Sequence, residues 1–345
     1  EGVEVLHGDR RRPGDLEALR RDRWDAVVDS SGYTYPEVHA AVTTLRERAE
    51  RYLFISTILV HRHPIPPGAD ENAPLHPPDY EGGEVTPMRY GPCKVAAEEA
   101  VRQGFGARAL VLRPGVLVGP WDYSGRFTYW CQRVDRGGEV LAPGRPERPV
   151  QLLDARDLAT FAVDALERGL AGTFLTVGPE RPLSFGAMLE RLRVAFDSGA
   201  RFVWVDDDFL RAEGFQPFGY ELPFWVTEAE SGLFQMAGHR AWAAGLRCRP
   251  LEATARDTLA WARAHPDGTE RTAGLPPERE AALATADCTS PRDGGRAGGD
   301  AGRAGGRGRR FHAAACLPGD SKLHENPPAN PLRRRTCRQP LGLDL

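Results

Sequence analysis

A tyrosine and a lysine stand four residues apart at Tyr90 and Lys94. The chain has 2 lysines against 43 arginines, so a lysine here indicates a site that needs a compact ammonium group rather than a guanidinium. Residues four apart share one face of a helix, and a neighbouring ammonium lowers the pKa of a phenol because it stabilises the phenolate. The pair therefore predicts a general acid or base. An exposed pair on a helix surface is the alternative, because short motifs also arise by chance.

Two hydroxyl side chains, Ser56 and Thr57, stand where a predicted strand over residues 52–56 ends. Open α/β sheets bind their ligands at the carboxyl ends of parallel strands. A hydroxyl at such an end can orient a substrate oxygen and hydrogen-bond the phenol of Tyr90. Successive side chains of a strand point to opposite faces, so we expect only one of the two to face the site, and we predict that it is Thr57.

Apolar segments of strand length alternate with helical patterns along most of the chain. Strands are predicted over 3–6, 24–29, 52–56, 109–112, 150–153, 173–177 and 202–205. Helices are predicted over 15–20, 36–49, 92–103, 127–136, 155–167, 184–195 and 251–264. This alternation predicts an α/β fold with a doubly wound parallel, Rossmann-like sheet. The proline-rich segment 61–87 is predicted to be a long loop that covers a site.

Composition argues against several classes of protein. The formal net charge of −3 gives no global attraction to nucleic acid or membranes, and no run of apolar residues is long enough to span a bilayer. The six cysteines lack the spacing of metal sites, and His61 and His63 lack an evident third ligand, so no metal is predicted. Scattered cysteines and the charged, polar start of the chain favour a cytoplasmic protein.

Residues 265–345 differ in composition from the rest of the chain. They are rich in glycine, arginine and alanine and contain few aromatic or branched side chains. Such a segment cannot bury enough apolar surface to offset its loss of conformational entropy, so we predict a disordered or non-native tail. A Gly/Arg segment that binds nucleic acid is the alternative, and the scarcity of interleaved aromatic residues argues against it.

Several motifs share an order and spacing with a known family. Ser56-Thr57 follows an apolar strand, and Tyr90-x-x-x-Lys94 lies downstream. Together with the segments 8–9, 27–32, 113–120 and 152–159, this arrangement resembles the extended short-chain dehydrogenase/reductases, also called the NAD-dependent epimerase/dehydratase family. The likeness spans about residues 3–264, and its specificity comes from the order of the segments rather than from any one of them.

The resemblance implies NAD or NADP as cofactor and a small-molecule substrate. It implies that Tyr90 is the acid/base, that Lys94 binds the nicotinamide ribose and lowers the pKa of Tyr90, and that Thr57 orients the reacting oxygen. The nicotinamide carries the hydride. The cofactor-binding residues that the resemblance implies are Asp9, Arg10, Ser30, Ser31, Gly32, Ser56, Lys94, Pro114, Gly115 and Val116.

Aromatic residues and arginines outside this set are weaker candidates. Arg126 and Arg148 stand where the family often contacts substrate, with a solvated surface role as the alternative for each. Trp121, Tyr129, Trp130, Trp204 and Trp225 are candidates for a substrate pocket, with core packing as the alternative.

One part of the family pattern is missing at the start of the chain. The family begins with a strand, a Gly-x-x-Gly-x-x-Gly turn and a helix whose N-terminus holds the pyrophosphate, and no such unit precedes the strand over 24–29. We therefore expect roughly 50 further residues before Glu1 in the intact protein, and poor folding or dinucleotide binding without them. The predicted domains are a partial dinucleotide-binding domain (1–115 and 150–177), a substrate-binding lobe (116–149 and 178–264) and the tail from residue 265.

The sequence therefore favours an NAD(P)-dependent oxidoreductase or epimerase/dehydratase that acts on a hydroxyl or carbonyl group of a small molecule, with a nucleotide-linked sugar as one candidate. Two alternatives stay open: a non-catalytic family member that regulates or binds RNA, and an inactive truncated gene product. A homodimer is a further expectation, with the helix over 92–103 as a candidate interface.

Overall fold

The computed structural model describes residues 4–266, 268 and 273–287. Within them the strands are β1 (Trp24–Asp29), β2 (Ala49–Ile55), β3 (Ala109–Pro114), β4 (Val116–Val118), β5 (Glu139–Pro143), β6 (Pro149–Val150), β7 (Leu152–Asp154), β8 (Gly172–Thr176), β9 (Leu183–Ser184) and β10 (Arg201–Val205). The α-helices are α1 (Tyr35–Leu45), α2 (Pro87–Phe105), α3 (Arg126–Arg136), α4 (Ala155–Glu167), α5 (Phe185–Ala195), α6 (Asp207–Ala212), α7 (His239–Ala243), α8 (Leu251–Ala264) and α9 (Pro277–Asp287). Short 3-10 helices cover Pro13–Arg20, Ile58–Val60, Gly106–Arg108 and Glu228–Phe234.

The main sheet has four parallel strands in the order β1-β2-β3-β8. Strand β3 is buried along its whole length, as its continuous apolar run predicts. Helices α1 and α2 cover one face, where Val42 and Val101 share an apolar cluster with Phe54. Helix α4 covers the other face, where Phe161 shares a cluster with Leu110. A parallel sheet with helices on both faces is the doubly wound, Rossmann-like architecture, so that prediction is confirmed.

The remaining strands form three short pairs. Strand β4 is parallel to β7, β5 is parallel to β10, and β6 is antiparallel to β9. Helices α3, α5 and α8 enclose an apolar cluster that includes Trp130, Phe185 and Leu259. The described residues belong to one compact unit. The division into a dinucleotide-binding domain and a substrate-binding lobe therefore stays a prediction.

Four elements in the first third of the chain differ from their predictions. Residues 4–6 form no strand, and a 3-10 helix over Pro13–Arg20 replaces the predicted α-helix. Helix α1 ends at Leu45 because the chain from Ala49 onward pairs with β1 as the start of β2. Helix α2 begins at Pro87 rather than at residue 92, because a proline fits the first helical turn, where its missing N–H needs no partner.

Helix α9 lies inside the segment that composition predicted to be disordered. Its Glu280 is buried and accepts hydrogen bonds from Arg133 at 2.7 and 2.9 Å and from the Leu141 amide at 3.0 Å. Leu275 and Leu283 join the apolar cluster around β5 and β10. The predicted start of the tail at residue 265 is therefore too early, because a few apolar side chains and one buried carboxylate anchor this helix. Residues 288–345 lie outside the described residues.

Candidate active site

A cavity of about 430 Å³ lies at the carboxyl ends of β2 and β3. Eight of the predicted site residues line it, namely Ser30, Ser56, Thr57, Tyr90, Lys94, Pro114, Gly115 and Val116. They come from the loop after β1, the end of β2, helix α2 and the end of β3. The crossing-over of the chain between parallel strands thus brings together residues that the sequence separates widely.

Tyr90 sits in the first turns of α2, which begins after the N-cap residue Thr86. Its side chain and that of Thr57 line the same cavity. Burial raises the pKa of Tyr90 to about 12, and the neighbouring Thr57 hydroxyl offsets only part of that rise. The sequence led us to expect a lowered pKa. The direction differs because removing a phenol from water disfavours its anion, an effect that residue spacing does not reveal.

Lys94 lies one helical turn after Tyr90 and is only 3% exposed. Its ammonium donates to the carbonyls of Gly32 at 2.8 Å and Ile55 at 2.7 Å, and it stands 4.1 Å from the ring centre of Phe54. Burial lowers the pKa of Lys94 to about 8, while the charges of Asp29 and Glu98 act to raise it. At neutral pH the group is therefore still an ammonium, with two of its three N–H donors bound to the main chain.

The two hydroxyls at the end of β2 have different partners. Ser56 donates to Glu98 at 2.6 Å, whereas Thr57 lines the cavity beside Tyr90 and accepts a hydrogen bond from the Leu59 amide at 3.2 Å. The Leu59 bond caps the short 3-10 helix Ile58–Val60 and so fixes the Thr57 side chain. The Ser56 hydroxyl is thus taken by Glu98, and the role of Thr57 in orienting a substrate oxygen stays a prediction.

The other predicted cofactor residues lie at a second cavity, of about 540 Å³, beside β1. Asp9, Arg10 and Ser31 line it. Gly32 lines neither cavity, and its carbonyl accepts a hydrogen bond from Lys94. Arg10 donates two hydrogen bonds, at 2.7 and 2.8 Å, to the carboxylate of Asp29.

Asp29 is a residue of this second cavity that the sequence reading did not select. Its carboxylate is almost fully buried and accepts a third hydrogen bond, of 2.6 Å, from the hydroxyl of Tyr52. An aspartate that ends a buried apolar strand was the available signal, since a buried carboxylate requires partners.

Further aromatic side chains line the first cavity. Trp121 is 74% exposed, has φ of 68° and touches the rings of Trp261 and His265, with centroids 5.6 and 5.4 Å away. Arg126 stacks on Phe218 and Tyr220 at the same cavity. Trp121 and Arg126 thus both line the first cavity, and a contact of either with substrate stays a prediction.

Other weak candidates lie elsewhere in the described structure. Arg148 is buried and bound to Asp207 at 2.9 Å, outside the two cavities described above. Trp130 and Trp225 are core residues. Within residues 4–266, 268 and 273–287, no three His, Cys, Asp or Glu side chains are grouped to hold a metal ion. No helix in the same ranges is long and apolar enough to cross a membrane.

The first cavity fits the nicotinamide-ribose half of a dinucleotide. Lys94 keeps one ammonium N–H beyond the two that its carbonyl partners take, and the ordered chain over 114–116 supplies a wall. Among the described residues, no Gly-x-x-Gly-x-x-Gly turn joins a strand to a helix N-terminus, so the pyrophosphate half has no cradle of that kind in this part of the chain.

The fold and this cavity define a class: an α/β protein with a Rossmann-like sheet and a Tyr-Lys-Thr site at its ligand edge. Residues 16–178 match the model of the NAD dependent epimerase/dehydratase family. The match covers less than half of the chain and agrees with the resemblance that the sequence motifs indicated. The comparison with curated proteins gives no match.

Solved structures share the fold at low sequence identity. A UDP-glucose 4-epimerase aligns with TM-score 0.57 and 13% identity, covering 79% of this chain and 87% of that chain. A GDP-L-fucose synthetase from Naegleria fowleri bound to NADP gives 0.56 and 11%, covering 78% and 86%. A UDP-Glc/GlcNAc 4-epimerase from Campylobacter jejuni gives 0.53 and 14%, covering 74% and 83%. At these identities the likeness concerns the fold alone.

Proposed function

We propose that the protein is an NAD(P)-dependent oxidoreductase or epimerase/dehydratase that acts on a hydroxyl or carbonyl group of a small molecule. The observation that carries the proposal is that Tyr90, Thr57 and Lys94 line one cavity at the carboxyl ends of β2 and β3. The family is NAD-dependent, and similar structures carry NADP or NAD. A location in the cytoplasm and a homodimer stay predictions.

Some residues of the cavity would bind the cofactor, and others would bind the substrate and transfer a proton. Lys94 would hold the nicotinamide ribose with its third N–H, and residues 114–116 would bound the ring. When bound, the dinucleotide supplies or accepts a hydride. The hydroxyls of Thr57 and Tyr90 would both hydrogen-bond to the substrate oxygen. Because the phenol of Tyr90 is neutral at pH 7, it donates its proton to a carbonyl oxygen that is becoming an alkoxide.

In the oxidation direction, Tyr90 would have to act as a base rather than as an acid. Oxidation of an alcohol needs a base, and a phenol with a pKa near 12 is a poor one at neutral pH. A dinucleotide with a positively charged nicotinamide beside the phenol would lower that pKa by favouring the phenolate. We therefore propose that Tyr90 acts more readily as the acid of a reduction than as the base of an oxidation.

The substrate that we propose is a nucleotide-linked sugar. The names of the similar structures mention UDP-glucose and GDP-L-fucose, and the cavity is open towards an aromatic wall that includes Trp121. Aromatic rings pack well against the faces of sugar rings and bases. This part of the proposal rests on those two points.

The test uses the full chain, NADH and NADPH. Binding of each dinucleotide is measured by fluorescence, and turnover of UDP-glucose and GDP-linked sugars is followed by cofactor absorbance or product analysis. Tyr90→Phe should abolish turnover while dinucleotide binding persists. Tyr80→Phe is the matched control, because Tyr80 is exposed and bonds only to Glu99 in the described structure. Unchanged turnover in Tyr90→Phe would exclude the acid role, and a chain that binds a dinucleotide but turns over no substrate would support the non-catalytic alternative.

A further inference from the structure

Glu98 lies on the same face of α2 as Tyr90 and Lys94, two turns and one turn further along the helix. Its side chain has no exposed surface. Neither the sequence motif nor the cavity lining includes it. A buried carboxylate so close to the site needs partners to offset its lost hydration, and the identity of those partners determines what it does.

The partners of Glu98 come from the two strands that end at the cavity. Ser56, at the end of β2, donates to one carboxylate oxygen at 2.6 Å. Arg113, near the end of β3, donates through Nε at 2.9 Å and through Nη2 at 2.7 Å. Arg102, one turn further along α2, adds a bond of 2.5 Å. One carboxylate thus joins α2 to the ends of β2 and β3. We call the set of Glu98, Ser56, Arg102 and Arg113 the Glu98 network.

Two members of the network, Ser56 and Arg113, are adjacent in sequence to residues of the cavity. Ser56 precedes Thr57, which lines the cavity together with Tyr90. Arg113 precedes Pro114, the start of the cavity wall that would face the nicotinamide. The distances between the acid, the hydroxyl and the wall therefore depend on where the Glu98 carboxylate sits.

The network also reaches the long loop after β2. The remaining arm of Arg113 donates to the carbonyl of Glu71 at 3.1 Å and contacts Nε2 of His61 at 3.4 Å. The Glu71 carboxylate in turn accepts a bond of 2.8 Å from the Leu175 amide of β8. The loop over 61–87, which the sequence predicts to cover the site, is thereby tied to the same arginine that Glu98 holds.

We infer that Glu98 is a positioning residue of the site, which sets the spacing of Tyr90, Thr57 and the 114–116 wall by binding Ser56 and Arg113 at once. A buried ion pair is a poor device for stability alone, because an apolar pair of similar volume often stabilises a fold as well or better. An apolar pair has no directional bonds, however, and cannot hold three backbone segments at fixed separations. For its effect on turnover, the inference rests on the proposed function.

The test exploits the two lysines of the chain. In protein labelled with carbon-13 at the lysine ε position, only two lysine signals appear, and Lys322→Arg identifies the signal of Lys94. The ring of Phe54 on β2 lies 4.1 Å from the Lys94 nitrogen, so the ring current makes this signal sensitive to the distance between α2 and β2. The spectra are recorded at pH 6, where Lys94 stays charged.

Three variants separate positioning from stability. Glu98→Gln should displace the Lys94 signal, lower Tm and lower kcat by roughly tenfold or more, because small misplacements of reacting groups are costly. The double variant Glu98→Met with Arg113→Met should recover Tm but leave the Lys94 signal displaced and kcat low. Glu99→Gln, the same change one residue away on a side chain that binds Tyr80, should leave all three readouts at their original values.

Two results would overturn the inference. The first is an unchanged position of the Lys94 signal in Glu98→Gln. The second is a double variant in which the Lys94 signal, kcat and Tm all recover their original values, because Glu98 would then act through stability alone. If Glu98→Gln does not fold, Ser56→Ala removes one bond of the network and should still displace the signal. If no substrate is turned over at all, the proposed function fails, and the lysine signal still decides the positioning role.

Discussion

Arg133 on α3 and Glu280 on α9 form a buried ion pair with an N–O distance of 2.7 Å. The arginine also donates to the carbonyls of Gly137 and Glu139, and the carboxylate also accepts the Leu141 amide. The pair therefore fastens the last described helix to the end of α3 and to β5. Both side chains are less than one-tenth exposed, so neither charge can turn to water if its partner is removed.

Removing Glu280 should destabilise the fold strongly. We expect Glu280→Ala to lower the free energy of unfolding by about 3 to 5 kcal/mol, because it leaves the Arg133 charge buried and unpaired. Urea unfolding measures the change. Glu278→Ala is the control, since Glu278 is exposed on the same helix and should cost less than about 1 kcal/mol. Equal losses in the two variants would contradict the importance of the pair.

Stability should depend on pH through His61. Burial and the neighbouring Arg113 lower the pKa of His61 to about 4, from about 6.5 in the unfolded chain. Between these values the unfolded chain binds more protons than the folded chain, so stability rises with pH across the window and falls as the solution is acidified. The loss from pH 6.5 to pH 4 should be on the order of 3 kcal/mol.

Carboxylates also titrate in this range, so the comparison must be made between variants. His61→Gln should flatten the difference curve between pH 4 and pH 6.5, although it also lowers stability at neutral pH by removing the bonds to Ala73 and Arg113. Chemical denaturation at several pH values provides the curve. A constant difference between the two proteins across the window would show that His61 is not held neutral.

Dinucleotide binding should weaken above pH 8. Burial lowers the pKa of Lys94 to about 8, and deprotonation leaves an amine with two N–H groups, both already bound to Gly32 and Ile55. No donor then remains for a ribose hydroxyl, so we expect Kd for NADPH to rise roughly tenfold between pH 7 and pH 9.5. Lys94→Met should bind weakly at both values, with little dependence on pH. An equally steep rise in that variant would assign the effect to another group.

Trp121 should govern substrate affinity more than stability. Its φ of 68° is unfavourable for a bulky side chain, and its ring is largely exposed at the cavity. Trp121→Gly relieves the backbone strain while it adds unfolded-state entropy, so the net stability change should stay within about 1 kcal/mol. KM for the substrate should rise severalfold, with kcat less affected, and Trp121→Phe should recover most of the affinity. Steady-state kinetics decide between this outcome and a purely structural ring.

Sequence patterns predicted the central elements well and the connections less well. Helix α4 has the predicted bounds, because its apolar positions follow the helical period and Asp154 caps it. Strand β2 begins earlier than predicted, because its first residues are polar and join the sheet only by pairing with β1. Pro92 suggested a helix start, whereas it lies inside α2. The preferences of individual residues cannot predict where such a strand begins, because its start depends on pairing with another strand in the folded chain.

The same limit applies to the site. The spacing of Tyr90 and Lys94 and the strand end at Thr57 can be read from the sequence. The role of Glu98 cannot, because it depends on which strand ends meet beneath α2. The raised pKa of Tyr90 was also unpredictable, since it follows from burial in the folded chain rather than from the charge one turn away.

Tyr33 lines both the cavity beside Lys94 and the cavity beside Arg10. Its ring stands 6.2 Å from that of Tyr90, and the ammonium of Lys94 lies 5.6 Å from its centre. A single side chain is thus shared by the two chambers. A ligand in one chamber that moves the ring of Tyr33 would also change the room left in the other.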